Sequence, residues 1–128
     1  MAKNTLPFYP DPLITGQSMA ASFVGTPTNI EFADNVGIQV SWTGSNPIGV
    51  VGVNISLDYD KRFPAQATWT VLKQPDGVTP VTLTPAGTAG NGYMDLNQLS
   101  AMWVQVSYTT AGGSVGNLTS KIGYKGLQ

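Results

Sequence analysis

The side chains that could do chemistry in this chain are seven carboxylates, three tryptophans and a few scattered cations, with no histidine and no cysteine among them. The lack of histidine removes the commonest general base and metal ligand, and the lack of cysteine removes disulfides and thiolate metal sites. The acids are Asp11, Glu31, Asp34, Asp58, Asp60, Asp76 and Asp95. Asp58 and Asp60 stand two apart, so on a strand both would point the same way. A glycosidase needs two carboxylates facing each other across a cleft, one of them with a raised pKa. This pair instead sits at the end of an apolar run, beside Lys61 and Arg62. That setting suits local charge pairing in a solvated loop. The same pair could offer oxygen ligands to calcium, but Asp58-Tyr59-Asp60 lacks the further carboxylates and the glycine of a dedicated loop. No catalytic residue, metal or cofactor is expected, and the chain does not read as an enzyme.

Trp42, Trp69 and Trp103 raise a second possibility, because sugars and protein partners both dock on exposed rings. Trp42 shares a face with Ile38 and Val40, and Trp69 shares one with Val71. Both are expected in the core. Trp103 falls between Met102 and Val104 in an alternating run, so it should point away from the core, toward solvent, a loop or a partner. The glycine-rich stretch from Gly87 to Gly92 lacks GxxxxGK[ST] and no helix follows it, so it is a loop and not a phosphate cradle.

These residues must be positioned by strands. From Gly37 to Tyr59, Ile38, Val40 and Trp42 alternate with Gln39, Ser41 and Thr43. After Gly44-Ser45-Asn46-Pro47, residues Val51, Val53, Ile55, Leu57 and Tyr59 alternate with Gly52, Asn54, Ser56 and Asp58. Period-two alternation makes one face apolar, and the turn residues between the runs predict a hairpin whose apolar face needs a second sheet. The same reading places strands at 18–24, 29–32, 67–73, 78–83, 93–96, 101–109 and 115–124. Gln74-Pro75-Asp76-Gly77 is a strong turn signal, Ala111-Gly112-Gly113-Ser114 is read as a hairpin turn, and 97–101 as one helical turn. About eight or nine short strands at roughly ten-residue spacing predict an all-β antiparallel sandwich or jelly roll, which periodicity does not separate.

Residues 1–16 break this pattern. Pro7, Pro10 and Pro12 forbid a helix and disfavour a central strand, yet Leu6, Phe8, Tyr9, Leu13 and Ile14 are apolar. The expectation is an extended N-terminal arm over 1–16, lying on a partner or folded back, followed by one domain over 17–128. Leu6, Phe8 and Tyr9 join Trp103 as candidate partner-binding residues.

Composition narrows the partners. Charged residues are 10% of the 128 and the net charge is -1. Average proteins carry about 25% charged residues, so Thr, Ser, Asn and Gln must supply the polar surface here. Such a surface fits life against another protein. There is no cationic cluster to neutralise phosphates, so no direct nucleic-acid partner is expected. No apolar run approaches a membrane span, and no leader-like segment is visible at the start, so no membrane partner is expected.

Three segments carry a family resemblance: Asp34 to Gly44, the Trp69-Thr70-Val71-Leu72 strand, and Asp95 to Tyr108 with its Asp-Leu-Asn-Gln-Leu corner. Together they resemble small virion proteins of tailed bacteriophages, within roughly residues 34 to 126. The nearest likeness is to the capsid decoration, or cementing, proteins of short-tailed phages. That resemblance implies a jelly roll on the outside of a capsid, made in the bacterial cytoplasm, contacting the major capsid protein across subunit boundaries and self-associating as a dimer or trimer. The alternative is a carbohydrate- or receptor-binding sandwich from a phage tail. A sugar binder should present two or three coplanar exposed rings in a groove; a cementing protein should present a flat, weakly charged face.

Overall fold

A computed structural model describes residues 11–31, 33, 35–97 and 101–125. Ten strands form two antiparallel sheets packed as a β-sandwich. They are β1 (Asp11–Ser18), β2 (Phe23–Val24), β3 (Thr28–Asn29), β4 (Asn35–Asn46), β5 (Val50–Ser56), β6 (Thr70–Val71), β7 (Thr82–Leu83), β8 (Ala89–Asn97), β9 (Trp103–Thr109) and β10 (Val115–Lys125). The first sheet has the order β1-β10-β4-β8. The second runs β2-β9-β5-β6, with β3 also on β9 and β7 also on β5. One 3-10 turn, Pro64–Gln66, interrupts the β5–β6 connection.

Alternation explains the core. Val36, Ile38, Val40 and Trp42 of β4 and Leu118 and Ile122 of β10 pack against Val51 and Val53 of β5 and Val104, Val106 and Tyr108 of β9. Removing this apolar surface from water is the main stabilising term. The Trp42 indole also donates from Nε1 to the Ala86 carbonyl at 2.9 Å, which ties the β7–β8 loop to the core. Gly90 lies beneath that ring, where an added Cβ would meet it at 2.9 Å. Ser120 of β10 is a polar residue buried between the sheets: its hydroxyl is fully enclosed and has no hydrogen-bond partner among the described residues.

Two features differ from the sequence reading. The runs 38–42 and 51–57 are not a hairpin. β4 lies in one sheet and β5 in the other, and the apolar faces of the two runs meet across the core. The segment 47–49 crosses between sheets, with Gly49 at φ 122° under the Tyr108 ring. The turn at Ala111 to Ser114 likewise forms, with Ser114 N–H donating to the Ala111 carbonyl at 3.1 Å, but it joins β9 to β10 in the opposite sheet.

The second difference is the arm. Residues 11–16 belong to β1, which pairs with β10 from Asp11 opposite Ile122 to Ser18 opposite Asn117. The sandwich thus begins before residue 17. Pro12 is compatible because β1 is an edge strand, where a missing N–H need not break a ladder. Ile14, at 5% exposure, anchors the strand in the core. Leu6, Phe8 and Tyr9 lie outside the described residues, as does most of the expected turn at 97–101.

At the end of the sandwich where β4 crosses to β5, a buried polar knot replaces apolar packing. The Tyr108 hydroxyl donates to the Ile48 carbonyl, with the Met19 carbonyl at 3.2 Å and the Ser114 hydroxyl at 2.9 Å. Ser114 Oγ also reaches the Ile48 carbonyl at 2.9 Å, and Thr110 Oγ1 donates to Met19 at 2.7 Å.

Two substitutions test this account by urea unfolding. Trp42→Ala empties a buried aromatic site and should destabilise by about 3–5 kcal/mol. Ser120→Ala removes an unsatisfied buried hydroxyl and should leave stability unchanged or raise it by up to about 1 kcal/mol. A clear loss from Ser120→Ala would show that the hydroxyl has a partner.

Candidate functional site

Three aromatic side chains not absorbed by the core gather at the other end of the sandwich, on the outer face of the second sheet. Trp103 begins β9, opposite Asn29 of β3 on one side and Ser56 of β5 on the other. Its neighbour Val104 faces the core, so Trp103 must face out. There it meets Tyr59, ring centroids 4.7 Å apart and planes at 63°. Tyr59 in turn meets Trp69 at 5.6 Å and 47°. All three rings are half-buried. Lys61 Nζ lies 5.9 Å from the Trp103 ring centroid, within cation–π reach.

Trp69 was expected in the core and is not there. Val71 sits opposite Asn54 on the outer face and is 48% exposed, and Trp69 is on the same side of the chain. Leu72 packs against the core instead. β6 has only two residues, so three alternating positions, Ala67, Trp69 and Val71, gave no means of choosing the inner face. Tyr59, the centre of the cluster, was expected with Leu57 on the apolar inner face; both instead follow the end of β5 at Ser56, where strand parity no longer applies. Trp103 was expected to point away from the core, toward solvent, a loop or a partner; it does point away, and it meets the loop at Tyr59.

The acids beside this cluster hold the loop. Asp58 Oδ1 accepts from Thr68 N–H at 2.8 Å and from Ser56 Oγ at 2.9 Å, so it closes the segment 58–68 on itself. The Thr68 N–H foremost, then the Ser56 hydroxyl, lower the Asp58 pKa below its ordinary value. Asp60 accepts from Arg62 through Nη2 at 2.9 Å, Nε at 3.2 Å and the backbone N–H at 2.9 Å, and this pairing lowers its pKa. Each carboxylate is thus engaged in shaping its own loop, and the two do not face each other across a cleft. Among the described residues, no group of three or more acids gathers as a metal site would require.

Arg62 also lies over Phe63, 5.7 Å from its ring centroid. Phe63 and Leu57, at 53% and 68% exposure, extend the apolar surface of the loop. The rings stand tilted and edge-on, not side by side in one plane. Such a cluster offers a lumpy apolar patch with a cationic rim, suited to a protein surface rather than to a row of sugar rings.

The outer face of the first sheet is the second candidate surface, and it is different in kind. Asn35, Gln39, Ser41 and Thr43 of β4 align with Asn117, Thr119 and Lys121 of β10 and with Asn91, Tyr93 and Asp95 of β8. Amides and hydroxyls dominate it. At the knotted end, an open groove of about 380 Å³ is lined by neutral residues including Ser18, Thr43, Ser114 and Asn117. It holds no titratable side chain.

The geometry defines a β-sandwich with an aromatic patch on one sheet and an amide- and hydroxyl-rich outer face on the other. No protein-family model matches the chain, and no curated protein matches it.

The Asp58 clamp gives a pH test. Its folded pKa is depressed, so its contribution is present above the unfolded value near 3.8 and is lost as pH falls through the lower, folded one. Acidification below about pH 4 should therefore loosen the loop and alter the Tyr59–Trp69–Trp103 fluorescence. Asp58→Asn should show the altered fluorescence already at neutral pH, and its remaining acid response should be smaller. An unchanged emission spectrum in that variant would mean the carboxylate does not order the cluster.

Proposed function

We propose that this protein is a structural virion protein that binds the outside of a bacteriophage capsid across subunit boundaries and stabilises it. The observation that carries the reading is the amide- and hydroxyl-rich outer face of the first sheet. Over three strands, its charged positions are Lys121 and Asp95, with Lys125 at the end of β10 opposite Asn35. A face of this kind is weakly hydrated relative to a Lys/Glu surface and is matched by another neutral protein surface without stranding charges. The aromatic patch would supply the anchoring contact. Tyr and Trp carry much of the binding energy where they enter a partner's pocket. Binding only the assembled shell would stabilise that shell by mass action.

The strand order supports a jelly roll as the form of the sandwich. β1 pairs with β10, β2 and β3 with β9, β4 with β8, and β5 with β6 and β7. These four pairings describe one long double-stranded ribbon. Rolling the ribbon up adds two contacts, β10 on β4 and β9 on β5, and both are present. These pairings are those that a two-Greek-key jelly roll would need, a form found in capsid and lectin domains alike, so they fit the proposal without selecting it.

The test mixes the protein with particles stripped of their outer proteins and sediments them. Full-length chain should co-sediment in copy numbers comparable to the capsid subunits, and Trp103→Ala should weaken binding by about 2 kcal/mol, the usual scale for a buried aromatic anchor. Deleting residues 1–10 removes Leu6, Phe8 and Tyr9 but leaves β1 whole. It should weaken attachment while thermal unfolding stays unchanged. A handful of copies per particle would instead indicate a tail component. No co-sedimentation at all would overturn the reading.

A further inference from the structure

We infer that the free edge of β8 is the seam along which two copies of this chain join, extending the first sheet into one eight-stranded sheet across a two-fold axis. The inference does not rest on the capsid reading, since the seam would form or fail in dilute solution with no particle present.

The four sheet edges are not alike. An exposed edge strand offers unpaired N–H and C=O groups to any passing strand, and proteins blunt it by shortness, bulges, lysine or proline. Three edges here are blunted. The β2/β3 edge and the β6/β7 edge are each broken into two-residue pieces. β1 has two register shifts and contains Pro12. β8 has none of these. It pairs with β4 in nine consecutive positions, from Ala89 opposite Thr43 to Asn97 opposite Asn35, with no shift. Its sequence, AGNGYMDLN, contains neither lysine nor proline. Among the described residues, β4 is its one strand neighbour.

The occupant is a second copy because the strand is complementary to itself. A two-fold axis through Tyr93 uses the full strand and keeps outward residues opposite outward residues. It sets Asn91 across from Asp95 of the second copy, so an amide and not a like charge meets each carboxylate. It sets Tyr93 against Tyr93 at the axis, each 65% accessible in the single chain and each with its ring lying over Gly37 of its own β4. On the inner row it sets Gly90 and Gly92 across from Leu96 and Met94 of the second copy, small against large. The outer face on either side is the same row of amides and hydroxyls, so the joined sheet presents that face twice as wide.

Sedimentation velocity over a hundredfold range of concentration tests the seam. The wild-type chain should pass from monomer to dimer. Tyr93→Lys places two like charges directly opposite each other, and should weaken dimerisation at least tenfold, as should Tyr93→Glu. Mixing the two variants should restore a dimer, since lysine then faces glutamate. Circular dichroism confirms that each variant is folded; if either is not, Asn91→Asp sets a second carboxylate directly opposite Asp95 of the other copy, from an exposed position, and should weaken dimerisation in its place. A wild-type chain that stays monomeric, a trimer, or charged variants that associate as well as wild type would each overturn the inference, as would a mixture of folded variants that fails to pair.

Discussion

The Tyr108 hydroxyl lies where three segments from different parts of the chain converge: the turn after β1 at Met19, the crossing between β4 and β5 at Ile48, and the start of β10 at Ser114. Those segments must leave one sheet and enter the other, so their carbonyls cannot join either ladder. A buried carbonyl left without a donor would cost on the order of 1–3 kcal/mol, and the hydroxyls of Tyr108, Ser114 and Thr110 meet this need from the side chains. The ring of Tyr108 is meanwhile 1% exposed and packs beside Phe23 at 5.2 Å. One residue thus fills the core and seals its end. The remaining architecture depends on that seal, because the chain has no disulfide and its visible ion pair, Arg62 with Asp60, is at the surface.

Sealing one end with polar bonds leaves the other end for exposed loops. There the carboxylates act on the loop they belong to, and the aromatic rings collect on the outside. The division also keeps the two candidate surfaces apart. The aromatic patch is on one sheet and the amide-rich face is on the other, so a partner could be gripped by one while the other meets a neighbour.

How much of this was legible in the sequence depended on the length of each run. β4 offered eight alternating positions, and Ile38, Val40 and Trp42 are buried as the alternation requires. Gln74-Pro75-Asp76-Gly77 folds as its residue types demand: Gly77 takes φ 72°, and Asp76 accepts from Val78 N–H, Thr79 N–H and the Thr79 hydroxyl. Alternation, however, states which face of a strand is apolar and is silent about which sheet the strand joins. For β4 and β5, pairing side by side and stacking face to face bury the same side chains, so a hairpin and a crossing write the same pattern. The aromatic patch was legible only at Trp103, where β9 fixes the parity. Trp69 lies beside a two-residue strand and Tyr59 in a loop, and their meeting is decided by the Asp58 hydrogen bonds, which no local pattern announces. β1 was obscured by its prolines, which disfavour central strands but are tolerated at an edge.

The position of β10 sets the order of events as the chain is made. β10 lies between β1 and β4, so the first sheet lacks its second strand until the last residues of that strand have left the ribosome. Asp11 finds its partner only when Ile122 arrives. Local hairpins cannot stand in for this contact, because consecutive long strands enter opposite sheets. The entropy of closing such long loops must be met before the non-local pairings return it, so folding should be slow. Until then the emerging chain carries apolar strands without a sheet to bury them, and its neutral, amide-rich composition gives it few charges to keep such chains apart.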